Sequence, residues 1–144
     1  IKEAKKLRGL MLRHLPPFLQ LTTAKFIRMG HHDAHINKLQ NIYQKRWHTA
    51  NEAIKKYFPD CRIISGKGST NFLIQTHHQI DFSILEKPAL AQGVVIDSLK
   101  YCYFDPKDSH GLFRLGVSAI GINKIEGGIK LLRSIYEQII KQHG

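Results

Sequence analysis

Gly111-Leu112-Phe113-Arg114-Leu115-Gly116-Val117-Ser118-Ala119-Ile120 decides the reading of this chain. It is an apolar run that holds a single arginine and leads into the last helical segment. Phe113 to Ser118 reads as a strand. An arginine inside such a strand is costly to bury unless its charge meets an anion. The planar guanidinium offers a two-pronged donor that matches a carboxylate. Arg114 is therefore the candidate residue for binding a ligand carboxylate. The competing reading is an arginine at an exposed strand position or in a structural ion pair.

Downstream of this strand, Asn123-Lys124-Ile125-Glu126 has the form of a capping box, with Asn at the cap and Glu three residues on. The final helix runs to about Lys141, with Ile125, Ile129, Leu132, Ile135, Tyr136 and Ile139 inward. Upstream, the pattern has the period of short strands. Cys61 to Ser65 and Asn71 to Gln75 are strands joined by the turn Gly66-Lys67-Gly68-Ser69. Asp81 caps a helix through about Leu90, and Gly93 lies past its end. Val94 to Asp97 is read as a strand and Tyr101 to Phe104 as extended, with a turn-rich loop from Asp105 to His110.

The first sixty residues are helical in pattern. Residues 2–14 place Leu7, Leu10 and Met11 on one face, and Pro16 and Pro17 end that helix. A second helix spans Phe18 to Met29, with Gly30 as its C-terminal cap. A long helix from about Asp33 to Phe58 carries Ile36, Leu39, Tyr43, Trp47, Ala50, Ile54 and Tyr57 at three- and four-residue spacing. Pro59-Asp60 stops it. The expected fold is α+β: N-terminal helices including one long helix, then a small, mainly antiparallel sheet with packed helices.

The composition bounds the function. The 144 residues suffice for a real core, and 42% hydrophobic content is ordinary for a soluble chain. No apolar stretch is long enough for a transmembrane helix, and the charged N-terminus has no signal-peptide pattern. Cys61 and Cys102 are too few and too scattered for a disulfide framework, so a cytoplasmic location with reduced thiols is expected. Starting at Ile1 rather than Met, the chain reads as a piece of a longer protein. Lys and Arg number 22 against 11 Asp and Glu, a net charge of +11. That balance invites nucleic acid, but the basic residues are spread along the polar faces of helices. A stand-alone basic nucleic-acid-binding module stays as an alternative.

Other candidate sites are weaker in pattern. His31, His32, Asp33 and His35 crowd together, and His31 and His35 stand four apart as two ligands on one helix face can. No second paired cluster completes such a site, so polar residues at a helix start is the preferred reading and no metal is expected. Cys61 has no partner motif that would make it a nucleophile. Lys67 between two glycines does not fit the Walker pattern and reads as a hairpin turn. Tyr101 and Tyr103 read as strand packing.

The order of motifs resembles a known family. Gly30-His31-His32-Asp33-Ala34-His35-Ile36 ahead of Tyr43…Arg46 resembles a segment of fold-type I PLP-dependent aminotransferases. Gly66-Lys67-Gly68-Ser69-Thr70-Asn71-Phe72 resembles the glycine-rich hairpin that follows, and Ala91-Gln92-Gly93-Val94-Val95-Ile96 resembles the next strand entry. Phe113-Arg114-Leu115-Gly116-Val117-Ser118 with Ile125-Glu126-Gly127-Gly128-Ile129 resembles the terminal strand and last helix. The chain is most similar to the aminotransferase-like half of MocR-type regulators of the GntR superfamily.

The resemblance implies a C-terminal small domain over 33–144, preceded by a helical linker segment from the large domain over 1–32. It implies that the effector is an amino acid or amine, and that Arg114 clamps the carboxylate of an amino-acid effector. Pyridoxal 5′-phosphate (PLP) would be bound by the full-length protein, because the family's cofactor lysine lies upstream of everything here. The piece cannot be catalytic alone. A homodimeric parent that contacts DNA through an upstream domain is implied, with a catalytic aminotransferase as the alternative.

Overall fold

The computed structural model describes residues 1–11 and 16–143. The expected end of the first helix, residues 12–14, lies outside the described residues, as does Gly144. Five helices and three short strands follow one another in the chain: α1 Lys2–Met11, α2 Pro17–Arg28, α3 His31–Tyr57, β1 Arg62–Ile63, β2 Asn71–Gln75, α4 Ser83–Ala91, β3 Leu112–Gly116 and α5 Ile122–His143. Short 3-10 turns at Lys100–Cys102 and Pro106–Ser109 lie between α4 and β3. This is the α+β arrangement that the sequence pattern implies.

The chain divides into two compact units, 1–40 and 41–144, with the boundary inside α3. In the first unit, Pro17 opens α2, where its missing N–H is no loss. Gly30 ends α2 at φ 76°, a left-handed conformation that glycine adopts without strain. Its N–H donates to the Ile27 carbonyl at 3.0 Å, and its own carbonyl accepts from Ala34 to start α3. No residue of α2 is buried. Phe18 is 77% exposed, and Leu19, Leu21, Ile27 and Met29 are exposed beside it.

The second unit holds the core. Its sheet has the order β1-β2-β3, antiparallel throughout. The β2–β3 register pairs Phe72 with Leu115, Leu73 with Arg114 and Ile74 with Phe113. Strand side chains alternate between faces. Phe72, Ile74, Phe113 and Leu115 therefore point inward and are buried, while Arg114 points outward. α5 covers the inner face with Ile125, Ile129, Leu132, Ile135, Tyr136 and Ile139, the face expected from its spacing. The C-terminal half of α3 adds Ala50, Ala53 and Ile54, and Phe58 follows just past its end. The rings of Phe82 and Phe113 stack with centroids 4.6 Å apart, and Tyr136 lies parallel to Phe82 at 5.7 Å.

Three local expectations differ from the structure. Val94 to Asp97 is not a strand: a single bridge joins Asp97 to Arg114. The Val94 N–H is already spent on the Ala89 carbonyl at the end of α4, and Leu99 turns the chain away at φ 60°. Residues 101–104 are not all extended, because the Cys102 N–H bonds back to the Leu99 carbonyl and closes a 3-10 turn. α5 begins at Ile122, so Asn123 lies inside the helix rather than at its cap. Glu126 bonds not backward as in a capping box but across to Lys56 and Tyr57. Asp81 does act at the start of α4, where its Oδ1 accepts from the Ser83 N–H at 2.8 Å.

Phe113 is fully buried between Phe82 and Phe58. Phe113→Ala should cost about 3–5 kcal/mol in a denaturant titration, through lost transfer energy and the cavity left behind. The fully exposed Phe104, replaced by Ala, should change stability by less than about 0.5 kcal/mol.

Candidate functional site

Arg114 sits in the middle of β3, on the face away from the core. Its side chain is 47% exposed, so the desolvation argued from the sequence is only partial. It does meet an anion. The Nη2 of Arg114 donates to the Asp97 Oδ2, and the two residues also exchange both backbone hydrogen bonds, at 2.8 and 3.1 Å. Asp97 is 41% exposed. Its other oxygen, Oδ1, accepts from the Leu99 N–H at 2.9 Å. Arg114 is thus a half-exposed guanidinium on a rigid strand, open to solvent and partnered by one carboxylate. A guanidinium so placed can hold a ligand carboxylate or phosphate, in competition with Asp97 for its N–H donors.

His32 Nδ1 lies 2.9 Å from Asp33 Oδ1 on the exposed surface of α3. Among the described residues, no group of three or more His, Cys, Asp or Glu is placed to hold a metal ion. Lys67 is exposed in the hairpin turn. Tyr101 is 95% exposed and Tyr103 is also exposed, so neither packs as a strand aromatic. Arg46 donates to the Ser118 carbonyl and lies over the Tyr43 ring, tying α3 to the chain just after β3.

Clefts open among the described residues of the second unit. One, of about 660 Å³, lies between the inner side of β3 and the first turns of α5 and is lined by Phe72, Leu115, Val117, Ile125 and Gly128 among others. The second, of about 650 Å³, is lined by Cys61, His77, His78, Arg133, Tyr136 and Glu137. Burial pushes the Cys61 thiol and the Tyr136 hydroxyl upward, which keeps both protonated at neutral pH and argues against a thiolate nucleophile. Arg133 is held by Asp60 and Glu137 and covers the Phe58 and Tyr136 rings. Arg114 lines neither cleft.

Sequence reasoning found Arg114 and missed Asp97. The signal was present: an acidic residue ending the apolar run Val94-Val95-Ile96 needs a cationic partner wherever that run joins the sheet.

No family model matches the chain. It is similar to the HTH-type transcriptional regulator TauR of Rhodobacter capsulatus, 31% identical over 130 residues, covering 90% of this chain and 27% of TauR. It is also similar to the uncharacterized HTH-type transcriptional regulator YdeL of Bacillus subtilis, 26% identical, covering 95% of this chain and 30% of YdeL. Among solved structures it superimposes on a multiple substrate aminotransferase from Thermococcus profundus with a TM-score of 0.72 at 22% identity, over 82% of this chain and 29% of that one. The Pyrococcus horikoshii kynurenine aminotransferase, solved with PMP, gives 0.68 at 22% identity over 79% of this chain and 28% of its own. The chain shares its fold with the part of these aminotransferases that it covers. It spans less than a third of the length of the curated regulators that it matches.

The aminotransferase-like domain carries one further charged cluster. Glu126 Oε1 on α5 accepts from Lys56 Nζ at 2.8 Å and from Tyr57 Oη at 3.1 Å on α3. The Lys56 hydrogen bond holds the Glu126 carboxyl below the ordinary carboxylate range and raises Lys56 in turn. A depressed carboxyl contributes stability that is complete above its unfolded value and is lost as pH falls through its folded value. Wild type should therefore lose its advantage over Glu126→Gln as pH drops below about 4, with equal acid unfolding of the two at the bottom of the range, measured by circular dichroism.

Proposed function

We propose that this domain is the C-terminal part of a PLP-dependent, aminotransferase-like effector-binding module in a GntR/MocR-type transcriptional regulator. The observation that carries the reading is the similarity to HTH-type regulators along nine-tenths of the chain. The effector is an amino acid or amine, and Arg114 anchors the carboxylate of an amino-acid effector. Three features support that role. The guanidinium is fixed on a paired strand, faces solvent rather than core, and is within reach of a molecule arriving from outside the domain. Positioning of this kind converts a weak surface contact into an oriented one.

The rest of the binding site belongs to the remainder of the parent protein. PLP, when bound, supplies an electron-withdrawing carbonyl that combines with amines. Among the described lysines only Lys100 is half-buried and the others are exposed. The cofactor's lysine and phosphate contacts lie outside this chain on this reading. Residues 1–32 are the helical segment that packs on the large domain, and the uncovered apolar surface of α2 supports that assignment. The parent is a cytoplasmic homodimer that reaches DNA through a separate domain.

A second reading is the small domain of a catalytic aminotransferase, favoured by the solved neighbours, which are aminotransferases. Both readings give Arg114 the same role.

Absorbance of the full-length parent with PLP, recorded while amino acids are added, tests the proposal. The cofactor band should shift with amino acids. Arg114→Ala should raise the concentration needed by about tenfold or more, the worth of a charged hydrogen bond. The same variant should leave the response to simple amines unchanged. A parent that binds no PLP, or an Arg114→Ala protein that responds to amino acids as wild type does, would contradict it.

A further inference from the structure

The carboxylate on Arg114 comes from the chain itself. Asp97 occupies the position that an incoming ligand carboxylate needs, with one oxygen on the guanidinium and the other on the Leu99 N–H. Leu99 is the one non-glycine residue with positive φ among the described residues. A β-carbon is crowded in that conformation, which persists only where the surroundings hold it. Two things hold it here: the buried Leu99 side chain and the Asp97 oxygen on its amide. The turn that follows, closed by the Cys102 N–H on the Leu99 carbonyl, presents Tyr101 and Phe104 to solvent.

We propose that Asp97 is an internal competitor for Arg114, displaced by a ligand carboxylate, and that its displacement releases the turn carrying Tyr101 and Phe104. The inference rests on the reading of Arg114 as a carboxylate anchor. An ion pair this exposed is weak, so a ligand with further contacts elsewhere can displace it. Until then, only the fraction of molecules with Asp97 swung away can bind, and the apparent affinity is lowered by that fraction. A carboxylate that rotates off Arg114 also withdraws its second oxygen from the Leu99 amide. Occupancy of the site is thereby coupled to the conformation of residues 98–104. A ligand that lacks an anionic group does not compete and leaves the turn in place.

The test is calorimetric titration of the full-length parent with propionate, using propionamide as the uncharged control, for wild type, Asp97→Asn and Arg114→Ala. Asparagine keeps an acceptor for the Leu99 N–H and removes the charge. Asp97→Asn should bind propionate at least about twofold more tightly than wild type, while Arg114→Ala loses binding. A smaller gain or a loss in Asp97→Asn, with Arg114→Ala still defective, overturns the competitor and leaves the anchor standing. Wild-type binding by Arg114→Ala, or no propionate binding by any of the three, overturns anchor and competitor together. Deuterium exchange needs no variant: residues 98–104 of wild type should exchange faster with saturating propionate than with propionamide. Equal or slower exchange overturns the release of the turn.

Discussion

The pairing of β2 with β3 in one register is the constraint on which the rest depends. It places Phe113 and Leu115 under α5 and leaves Arg114 on the opposite face. A slip of one residue would turn every side chain of β3 over, burying the arginine and exposing the phenylalanine. The aromatic cluster of Phe58, Phe82, Phe113 and Tyr136 locks that register, because only one phase of the strand puts Phe113 among them. The position of the charged group is thus fixed by apolar packing on the other side of the strand.

The same logic explains what was legible in the sequence. Long periodic segments read correctly as helices: the stripe of α5 is buried, whereas of the α3 stripe only Ala50 and Ile54 are buried and Ile36 is exposed. Strands β2 and β3 read correctly because their alternation is clean. Short apolar runs did not. Val94 to Ile96 has the composition of a strand, but its first amide is taken by α4 and its exit is turned by Leu99. Neither effect is visible in composition, because a leucine gives no local sign of adopting a left-handed conformation. Asn123 failed as a cap for a similar reason: Glu126, which would have completed the box, found Lys56 on another helix.

The candidate site was half legible. An arginine in an apolar strand stood out, and its partner did not, since Asp97 lies 17 residues away across a turn-rich loop. Tyr101, Phe104 and the apolar side chains of α2 are exposed. Exposed apolar patches of this kind are surfaces suited to contact with another part of a protein or a ligand. The diffuse basic charge marks no comparable place, and the charge on the strand that matters is balanced by its neighbour.

The most direct measurement is a crystal structure of the full-length parent with an amino acid bound. The ligand carboxylate should lie about 3 Å from the Arg114 guanidinium, with the Asp97 side chain moved off it. A ligand whose carboxylate is held by other groups, with Arg114 still on Asp97, would contradict the account.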